Sequence, residues 1–575
     1  MSLAEALAKL NPSQREVVEC REHCVAVAVP GAGKTATIAA KAALLLSDPI
    51  KTVGAVTFSK DAAIELRDRI LALAGPSAKK RLIAGTFHSL AYKQLSFAAN
   101  KRPDIATEGE RAAIVLQLLQ EMALEWKLED AVSAIERCKT QLSNPSADTV
   151  EGRLYAGYQQ ALERNGRLDF QDLMRHAVLG MRDGTIKPFA VDALLVDEFQ
   201  DSDHLQTEWT SIHARAGAAT VVVADDDQTI FCFRSALGKT GIDAFVREFE
   251  ARQIVLGINY RSHSEILSVA GKVIRNNRDR IVKELTAFKG PGGEVRFLRH
   301  DDEYKEAVAA VEAMATGIRA GESAAILART NRILDPVEAV CRSQGVKYHR
   351  AAGRSILDRP ESALFGNLLE LVEHAGTAGL DSVLGFAGIG MVDLQVIQGI
   401  NAPSMIPLRL TKKELLSAGL GEDAAIKYFD LNKRLTEWRS LCARTFHALV
   451  LDGVHEWMLK WASSDQGKRS INTTYDVLSR LHGQFSDRLD FLRRKNNEAA
   501  ADAIVLTTFH SSKGLEWDRT ALIRLEESVI PDDGSTETEE RRLFYVAATR
   551  ARRIMILSTA RKNPTSRFLI EAGLA

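Results

Sequence analysis

Cysteine is scarce and scattered. The six residues stand at 20, 24, 138, 232, 341 and 442, and no C-x-x-C pair occurs among them. That spacing argues against a zinc or iron–sulfur site, and a reducing cytoplasm is the simplest compartment for it. Long apolar runs are also missing. None reaches the 18 or so residues of a membrane span, and the opening MSLAEALAKLNPSQ lacks the charged-then-apolar layout of a signal peptide. There is no surplus of either charge, since 75 basic residues balance 75 acidic ones. A nucleic-acid binder commonly shows a basic balance, so composition gives no such signal, although a basic groove offset by acidic faces is compatible with it. What remains is a soluble, globular composition, 46% hydrophobic and 26% charged over 575 residues, with room for about four domains.

The chain is organised around Val25–Ile38, VAVAVPGAGKTATI. An apolar, β-branched run ends in Pro30-Gly31-Ala32-Gly33-Lys34-Thr35, and a helical pattern follows. Glycines at such a turn let backbone N–H groups close around phosphate oxygens, and the helix N-terminus adds its positive end. Lys34 would reach the outer phosphates and Thr35 would ligate Mg²⁺. Ala28 stands where the strict phosphate-loop pattern has its first glycine, the least chemical position of that motif.

Upstream, Asn11 or Ser13 can cap a helix, and Gln14 carries an amide able to read an adenine edge with one donor and one acceptor. The same segment also reads as an ordinary capped surface helix. Downstream, Val53–Ser59 and a strand ending at Gly85-Thr86-Phe87-His88-Ser89 each deliver a Thr, an aromatic and a small polar residue to a strand end. Carboxyl ends of parallel strands line ligand crevices. Either Phe alone fits a packed core; two such ends in tandem favour a stacking platform. From about residue 95 to 185 the spacing of Ile114, Leu118 and Met122 predicts a helical insertion. Within it, Asp169-Phe170-Gln171-Asp172-Leu173 is either a special site or a capped helix start.

Ala193–Val196 is a further strand, followed by Asp197 and Glu198. Adjacent acids at an apolar strand end are costly unless a cation or substrate uses them. Asp197 suits Mg²⁺, and Glu198 is placed to orient or deprotonate an attacking water. Val221–Ala224 leads into Asp225-Asp226-Asp227-Gln228-Thr229-Ile230-Phe231-Cys232-Phe233-Arg234. Gln228 could sense a terminal phosphate, while Phe231, Phe233 and Arg234 could form a stacking and cationic surface.

In this order LNPSQ, the loop at 28–35, AVTFS, GTFHSL, VDEFQD and DDDQTIFCFR resemble the superfamily 1 helicases of the UvrD/Rep/PcrA group. The likeness continues through Asn259-Tyr260-Arg261-Ser262, Ala325–Asn331, Thr508–Trp517 and Glu540–Ala551. The resemblance implies an α/β fold of two RecA-like parallel-sheet motor domains, each with a mainly helical insertion. The first motor lobe would be 1–94 with 186–255, and its insertion 95–185. The second lobe would be 256–356 with 503–575, and its insertion 357–502. Inside the latter, Leu431, Leu435, Trp438 and Leu441 mark one helical core face, and Leu478, Leu481, Phe485, Leu489 and Leu492 another. Residues 401–407, with two prolines, read as a turn region.

The resemblance further implies an ATP-dependent 3′–5′ DNA helicase, with ATP and Mg²⁺ as cofactors and single-stranded and duplex DNA as partners. Lys34, Asp197, Glu198, Gln228, Arg261 and Arg550 would be catalytic, the two arginines reaching from the second lobe as fingers on the terminal phosphate. Gln14, Pro30, Gly31, Ala32, Gly33, Lys34, Thr35, Ala36, Tyr260 and Glu516 would bind nucleotide. Tyr260 would stack on adenine and Glu516 would hold the ribose. Thr35 and Asp197 would hold Mg²⁺. Thr57, Phe58, His88, Phe231, Phe233, Arg234, Asn331 and His510 would contact DNA. Phe231 and Phe233 stand where the family usually has Tyr and Trp; stacking survives that change, a ring hydrogen bond does not. The chain stops 25 residues after Arg550, so the expectation is a compact member without the C-terminal extension of larger relatives. That layout is similar to the helicase subunit GajB of the Gabija antiphage system, which works with a separate nuclease. Two settings are therefore expected in parallel: a self-sufficient motor for DNA repair or antiphage defence, or a DNA-sensing ATPase subunit that regulates a partner nuclease.

Overall fold

The computed structural model describes residues 2–231, 235–351, 359–374, 376–401, 410–481, 483–493, 502–561 and 563–575. The side chains of residues 466 and 491–493 fall outside this description, as do Phe233, Arg234 and most of the proline-bearing stretch at 401–407. The chain forms two compact units. One comprises Met1–Gly293, Pro531–Arg552 and Glu571–Gly573; the other comprises Glu294–Ile530, Arg553–Ile570 and Leu574–Ala575.

The first unit is built on strands β1 (Cys24–Ala28), β2 (Val53–Thr57), β3 (Leu82–Thr86), β4 (Ala193–Val196), β5 (Ala219–Ala224) and β6 (Arg252–Leu256). They lie in the order β3-β2-β4-β5-β1-β6, with every pairing parallel. Side chains alternate across a strand, and the sequence uses both faces. Val25, Val27, Leu194, Val196 and Val222 enter a core shared with Phe87, Leu173, Trp209 and Phe245. Cys24, Ala26, Ala28, Leu195, Val221 and Val223 face the other way, against Ile38, Leu46, Leu66 and Ile70. Burial on both faces explains why these strands read as continuous apolar runs, and it leaves the polar residues that follow each strand at one carboxyl edge. A short parallel pair, β7 (Ile258–Asn259) and β8 (Thr286–Ala287), completes the unit's strands among the described residues.

Between β3 and β4 come helix Phe87–Ala99 and then the helices Glu108–Glu121, Leu128–Lys139, Val150–Arg164 and Phe170–Arg182. Glu108–Glu121, Leu128–Lys139 and Val150–Arg164 share a satellite core around Val115, Ile135, Leu154 and Tyr158, whereas Phe170–Arg182 packs into the main core through Leu173, Met174 and Ala177. Asp169 resolves as a capped helix start: it caps helix 170–182 and forms a reciprocal capping box with Asp172. Lys139, fully buried, pairs with both carboxylates at 2.8 and 2.7 Å. The two carboxylates of the DFQDL stretch thus belong to a buried structural ion cluster.

The second unit holds β9 (Glu294–Arg299), β10 (Ala324–Ala328), β11 (Tyr348–Arg350), β12 (Ile504–Thr508), β13 (Trp517–Leu522) and β14 (Ala551–Thr559), ordered β11-β12-β10-β13-β14-β9. Strand β14 begins in the first unit and enters this one at Arg553. Between β11 and β12 every described element is helical. Leu431, Leu435, Trp438, Leu478, Phe485 and Leu489 are buried in one core there, with Leu441 and Leu481 packed against it. No described helix is long and apolar enough to cross a membrane.

Candidate active site

Strand β1 delivers the loop Val29–Gly33, and helix Lys34–Leu46 begins at once. Gly31 and Gly33 adopt φ of +64° and +74°, the left-handed region that glycine enters without penalty. Close approach matters as well: a Cβ on Gly31 would lie 2.7 Å from the Cβ of Arg261, and one on Gly33 2.9 Å from Nε2 of Gln14. Gly33 is the N-cap and offers no side-chain acceptor to the helix's first N–H groups. Other helices of this unit are capped by Asn11, Ser59, Thr86 and Asp203. At the phosphate loop, the orphan donors and the helix dipole are left for an anion.

Across the sheet edge, β4 ends in Asp197 and Glu198. Nζ of Lys34 lies 2.6 Å from Oε1 of Glu198, and the hydroxyl of Thr35 donates to Asp197 at 3.3 Å. Burial, and after it the neighbouring Glu198 charge, raises the Asp197 carboxyl to about 6. Burial alone would lower the Lys34 ammonium, but the charges of Glu198, Asp197 and Asp225 outweigh it and hold the lysine above its ordinary value. Glu198 sits at φ +53° and ψ +37°, a left-handed conformation that costs a non-glycine residue about 1–2 kcal/mol. Such local strain gathers at functional sites. Gln200 donates to the Glu198 carboxylate and accepts from the backbone N–H of Asp225 at 3.0 Å, which ties the ends of β4 and β5 together.

After β5, Gln228 donates to Asp225 at 2.6 Å and accepts from Arg550 at 3.3 Å. Arg550 is buried, with Nε on the carbonyl of Val546 at 2.7 Å. Arg261 donates to the carbonyl of Thr549 at 3.2 Å. Both arginines belong to the first compact unit, although their sequence positions assign them to the second lobe. Asn259, named in the sequence reading only as part of the Asn259–Ser262 motif and given no role of its own there, braces this region. It is fully buried, donates to the carbonyl of Pro30 at 2.6 Å, and accepts from the N–H groups of Arg261 and Ser262 at 2.8 Å each. The Tyr260 N–H donates to the carbonyl of Gly31 at 2.9 Å. The phosphate loop and the arginine-bearing turn are therefore one hydrogen-bonded body.

The three acids at 225–227 are all buried, and their carboxylate oxygens lie within 4.8 Å of one another. The space is already claimed. Nζ of Lys283 pairs with all three, at 3.0, 2.5 and 2.8 Å, and Arg280 forks onto Asp227. Burial opposes every charge here. At Lys283 the acids win and hold the ammonium well above its usual range; at Asp226 burial wins and the carboxyl is pushed up. Neither cation figures in the sequence reading, because nothing local to DDDQ points to a lysine 57 residues beyond Asp226.

Beside the loop lies a cavity of about 560 Å³ lined in part by Gln14, Gly33, Ala36 and Tyr260. Gln14 donates to the carbonyl of Ala32 at 2.9 Å and accepts from the N–H of Asn11 at 3.0 Å. Asn11 both caps helix Pro12–Glu19 and donates to the Tyr260 hydroxyl at 2.9 Å. The Tyr260 ring leans on Phe288, centroids 4.8 Å apart.

Of the residues expected to touch DNA, Thr57 is buried at the end of β2, while Phe58 is half-buried and stacks on Phe231 with centroids 6.3 Å apart and planes 3° from parallel. Phe87 is core, edge-on to Trp209, so the second strand end contributes no exposed ring of that kind. His88 meets the exposed ring of Phe170, and burial lowers its pKa. In the second unit, Asn331 follows β10 and His510 follows β12, which pair in parallel, so both lie at the same sheet edge. Burial, then the Arg329 charge, lowers His510 to about 4. Glu516 is half-buried just before β13.

The family model for the UvrD/REP helicase N-terminal domain matches residues 10–249. The model for the UvrD-like helicase C-terminal domain matches 254–373 and 484–562. The ATP-dependent DNA helicase PcrA of Bacillus subtilis is 28% identical over 99% of this chain and 86% of its own length. DNA helicase II of Escherichia coli is 28% identical over 97% of this chain and 85% of its own. The ATP-dependent DNA helicase Rep of the same bacterium is 26% identical, with coverage of 98% and 94%.

Proposed function

The chain belongs to the UvrD/Rep helicase family, and from that premise we propose that it binds ATP at Gly31–Ala36 and uses its hydrolysis to travel 3′ to 5′ along single-stranded DNA. The observation that carries this reading is the pairing of Lys34 with Glu198 at 2.6 Å beside that of Thr35 with Asp197 at 3.3 Å. A charged lysine, a hydroxyl and two carboxylates meet at a helix start whose N–H groups await an anion. The donors are hard oxygens of the type Mg²⁺ prefers, so Thr35 and Asp197 would hold the ion, whose chemistry is to neutralise phosphate charge.

Lys34 would leave Glu198 for the outer phosphates, freeing that carboxylate to orient a water and accept its proton. Arg550, Gln228 and Arg261 would complete the phosphate surroundings, with Arg550 and Gln228 already in contact. Gln14 and Tyr260 would take the base, and Glu516 the ribose. Phe58, Phe231, Phe233 and Arg234 would grip the strand by stacking and charge, with Thr57, His88, Asn331 and His510 contributing further contacts. We assign four subdomains: 1–94 with 186–255, 95–185, 256–356 with 503–575, and 357–502.

The test is ATP turnover by the purified chain with and without single-stranded DNA, alongside unwinding of duplexes tailed at the 3′ or the 5′ end. Stimulated turnover and unwinding from the 3′ tail alone are expected. Unwinding from the 5′ tail contradicts the polarity. Stimulated turnover without unwinding would instead favour an ATPase subunit that serves a partner such as a nuclease. Phe233→Ala should weaken single-strand binding about tenfold or more, with stability unchanged. Unchanged affinity with a large fall in melting temperature would make Phe233 a core residue.

A further inference from the structure

Behind Asn331, in the second unit, lies a buried ion network. Strand β10 ends at Ala328, and the chain makes one 3₁₀ turn, Asn331–Leu334, before helix Asp335–Ser343. No side chain caps either start: Thr330 makes no capping hydrogen bond to the turn, and Leu334 makes none to the helix. Oδ1 of Asn331 is buried and has no hydrogen-bond partner among the described residues. The backbone of Asn331, by contrast, is held from outside the turn. Nη2 of Arg350, on β11, donates to the Asn331 carbonyl at 2.5 Å. The same guanidinium pairs with Asp335 at 3.0 Å and with Glu338 at 2.5 Å, and all three side chains are buried. Glu338 also accepts from Arg342 and from the Tyr348 hydroxyl, at 3.0 Å each, and Asp335 pairs with Arg359 at 2.6 Å.

The two carboxylates need a cation, because buried charges left unpaired are costly. Any cation in that pocket meets the need. The carbonyl contact asks for more. A guanidinium is a planar fork of N–H donors in fixed directions, able to serve two carboxylates and a carbonyl at once, whereas a lysine ammonium is a compact charge on a flexible stem. We propose that Arg350 is a positioning residue for single-stranded DNA. Through the Asn331 carbonyl it sets where the Asn331 side chain stands, at the sheet edge that Asn331 shares with His510. The inference rests on the assignment of Asn331 to DNA above and deepens it. Its physical basis is preorganisation: a contact group already held in place loses less freedom when its ligand arrives.

The test is the affinity of the purified chain for a fluorescently labelled oligothymidylate, read by anisotropy, for Asn331→Ala, Arg350→Lys and the two combined. Asn331→Ala should weaken binding about three- to tenfold, as the loss of one hydrogen bond does. Arg350→Lys keeps the charge and loses the fork, and should weaken binding about threefold or more. The combined variant should bind less than about twofold more weakly than the weaker of the two single variants, because Arg350 acts through Asn331. Arg342→Lys alters the same network at a residue whose described bonds go to Glu338 and Tyr348. It should bind within about twofold of the unaltered protein, which a merely structural role for the network would not allow. Melting temperatures show which variants fold. If Arg350→Lys does not, Arg350→Gln joined to Glu338→Gln, which removes one charge of each sign, takes its place. Folded Arg350 variants that bind as tightly as the unaltered protein overturn the positioning role. So do losses that multiply in the combined variant, or an equal loss in Arg342→Lys. Binding unchanged by Asn331→Ala alone fails the DNA assignment of Asn331, and the positioning role with it, and that single variant tells the two failures apart.

Discussion

Strands β4 and β5 lie side by side in one parallel sheet and both end in acids, yet the two clusters are neutralised in different ways. At β4, Asp197 and Glu198 face one lysine, Lys34, which the phosphate loop itself supplies, and Glu198 keeps 27% of its side chain exposed. At β5, Asp225, Asp226 and Asp227 are sealed around Lys283, itself 1% exposed, with Arg280 on the outer carboxylate. On the proposed function, the cation of the first cluster is drawn away by an incoming phosphate. The second has cations with nowhere else to go. Acid count at a strand end therefore says little about metal binding; where the compensating charge comes from, and whether it can leave, says more.

The largest expected break in this comparison is Glu198→Gln. It removes the carboxylate placed to accept a proton and should lower turnover by about 10²–10⁴-fold while nucleotide binding persists, as equilibrium binding of a fluorescent ATP analogue would show. Lost affinity would make Glu198 structural. Next come matched substitutions of the two lysines. Lys283→Met strands buried carboxylates and should cost about 3–5 kcal/mol of stability, read as a marked fall in melting temperature. Lys34→Met should abolish hydrolysis yet melt closer to the unaltered protein than Lys283→Met does, because Glu198, the carboxylate it leaves behind, keeps part of its side chain exposed. Adding Asp226→Asn to Lys283→Met should restore part of the loss, with a coupling of about 0.5–3 kcal/mol.

Smallest is the effect of pH. The Asp197 carboxyl is raised to about 6, so it is ionised above that pH and protonated below. Metal ligation needs the ionised form. Apparent Mg²⁺ affinity at the nucleotide site should therefore fall about fourfold from pH 7.5 to 5.5. Calorimetry of Mg²⁺ binding to the nucleotide-loaded protein reads it directly, and a flat profile would remove Asp197 from the ligand set.

Much of this site was legible in the sequence, and for a physical reason. The phosphate loop, its lysine and hydroxyl, and the acids after β4 are local patterns: a strand, a glycine turn and a helix start within a dozen residues, or two carboxylates after an apolar run. Gln14 was legible as a candidate because it precedes the loop on a capped helix. What could not be read is what distant residues do to one another. Lys283 and Arg280 neutralise DDDQ from beyond β7, Asn259 clamps Pro30, and Phe87 turns into the core while Phe58 does not, although both follow a threonine at a strand end. The same limit appears at Asp169-Asp172, where the buried partner Lys139 belongs to another helix. The helical insertions were legible as helices from spacing alone, since a 3.6-residue period needs no partner.

The central claim is that of the two neighbouring acidic strand ends only that of β4 takes a divalent ion. The most direct measurement is Mn²⁺ stoichiometry by electron paramagnetic resonance, with a non-hydrolysable ATP analogue bound, for the unaltered protein, Asp197→Asn and Asp226→Asn. The account predicts one tightly held Mn²⁺ that is lost in Asp197→Asn and kept in folded Asp226→Asn. Tight Mn²⁺ that survives Asp197→Asn and disappears with Asp226→Asn would contradict it.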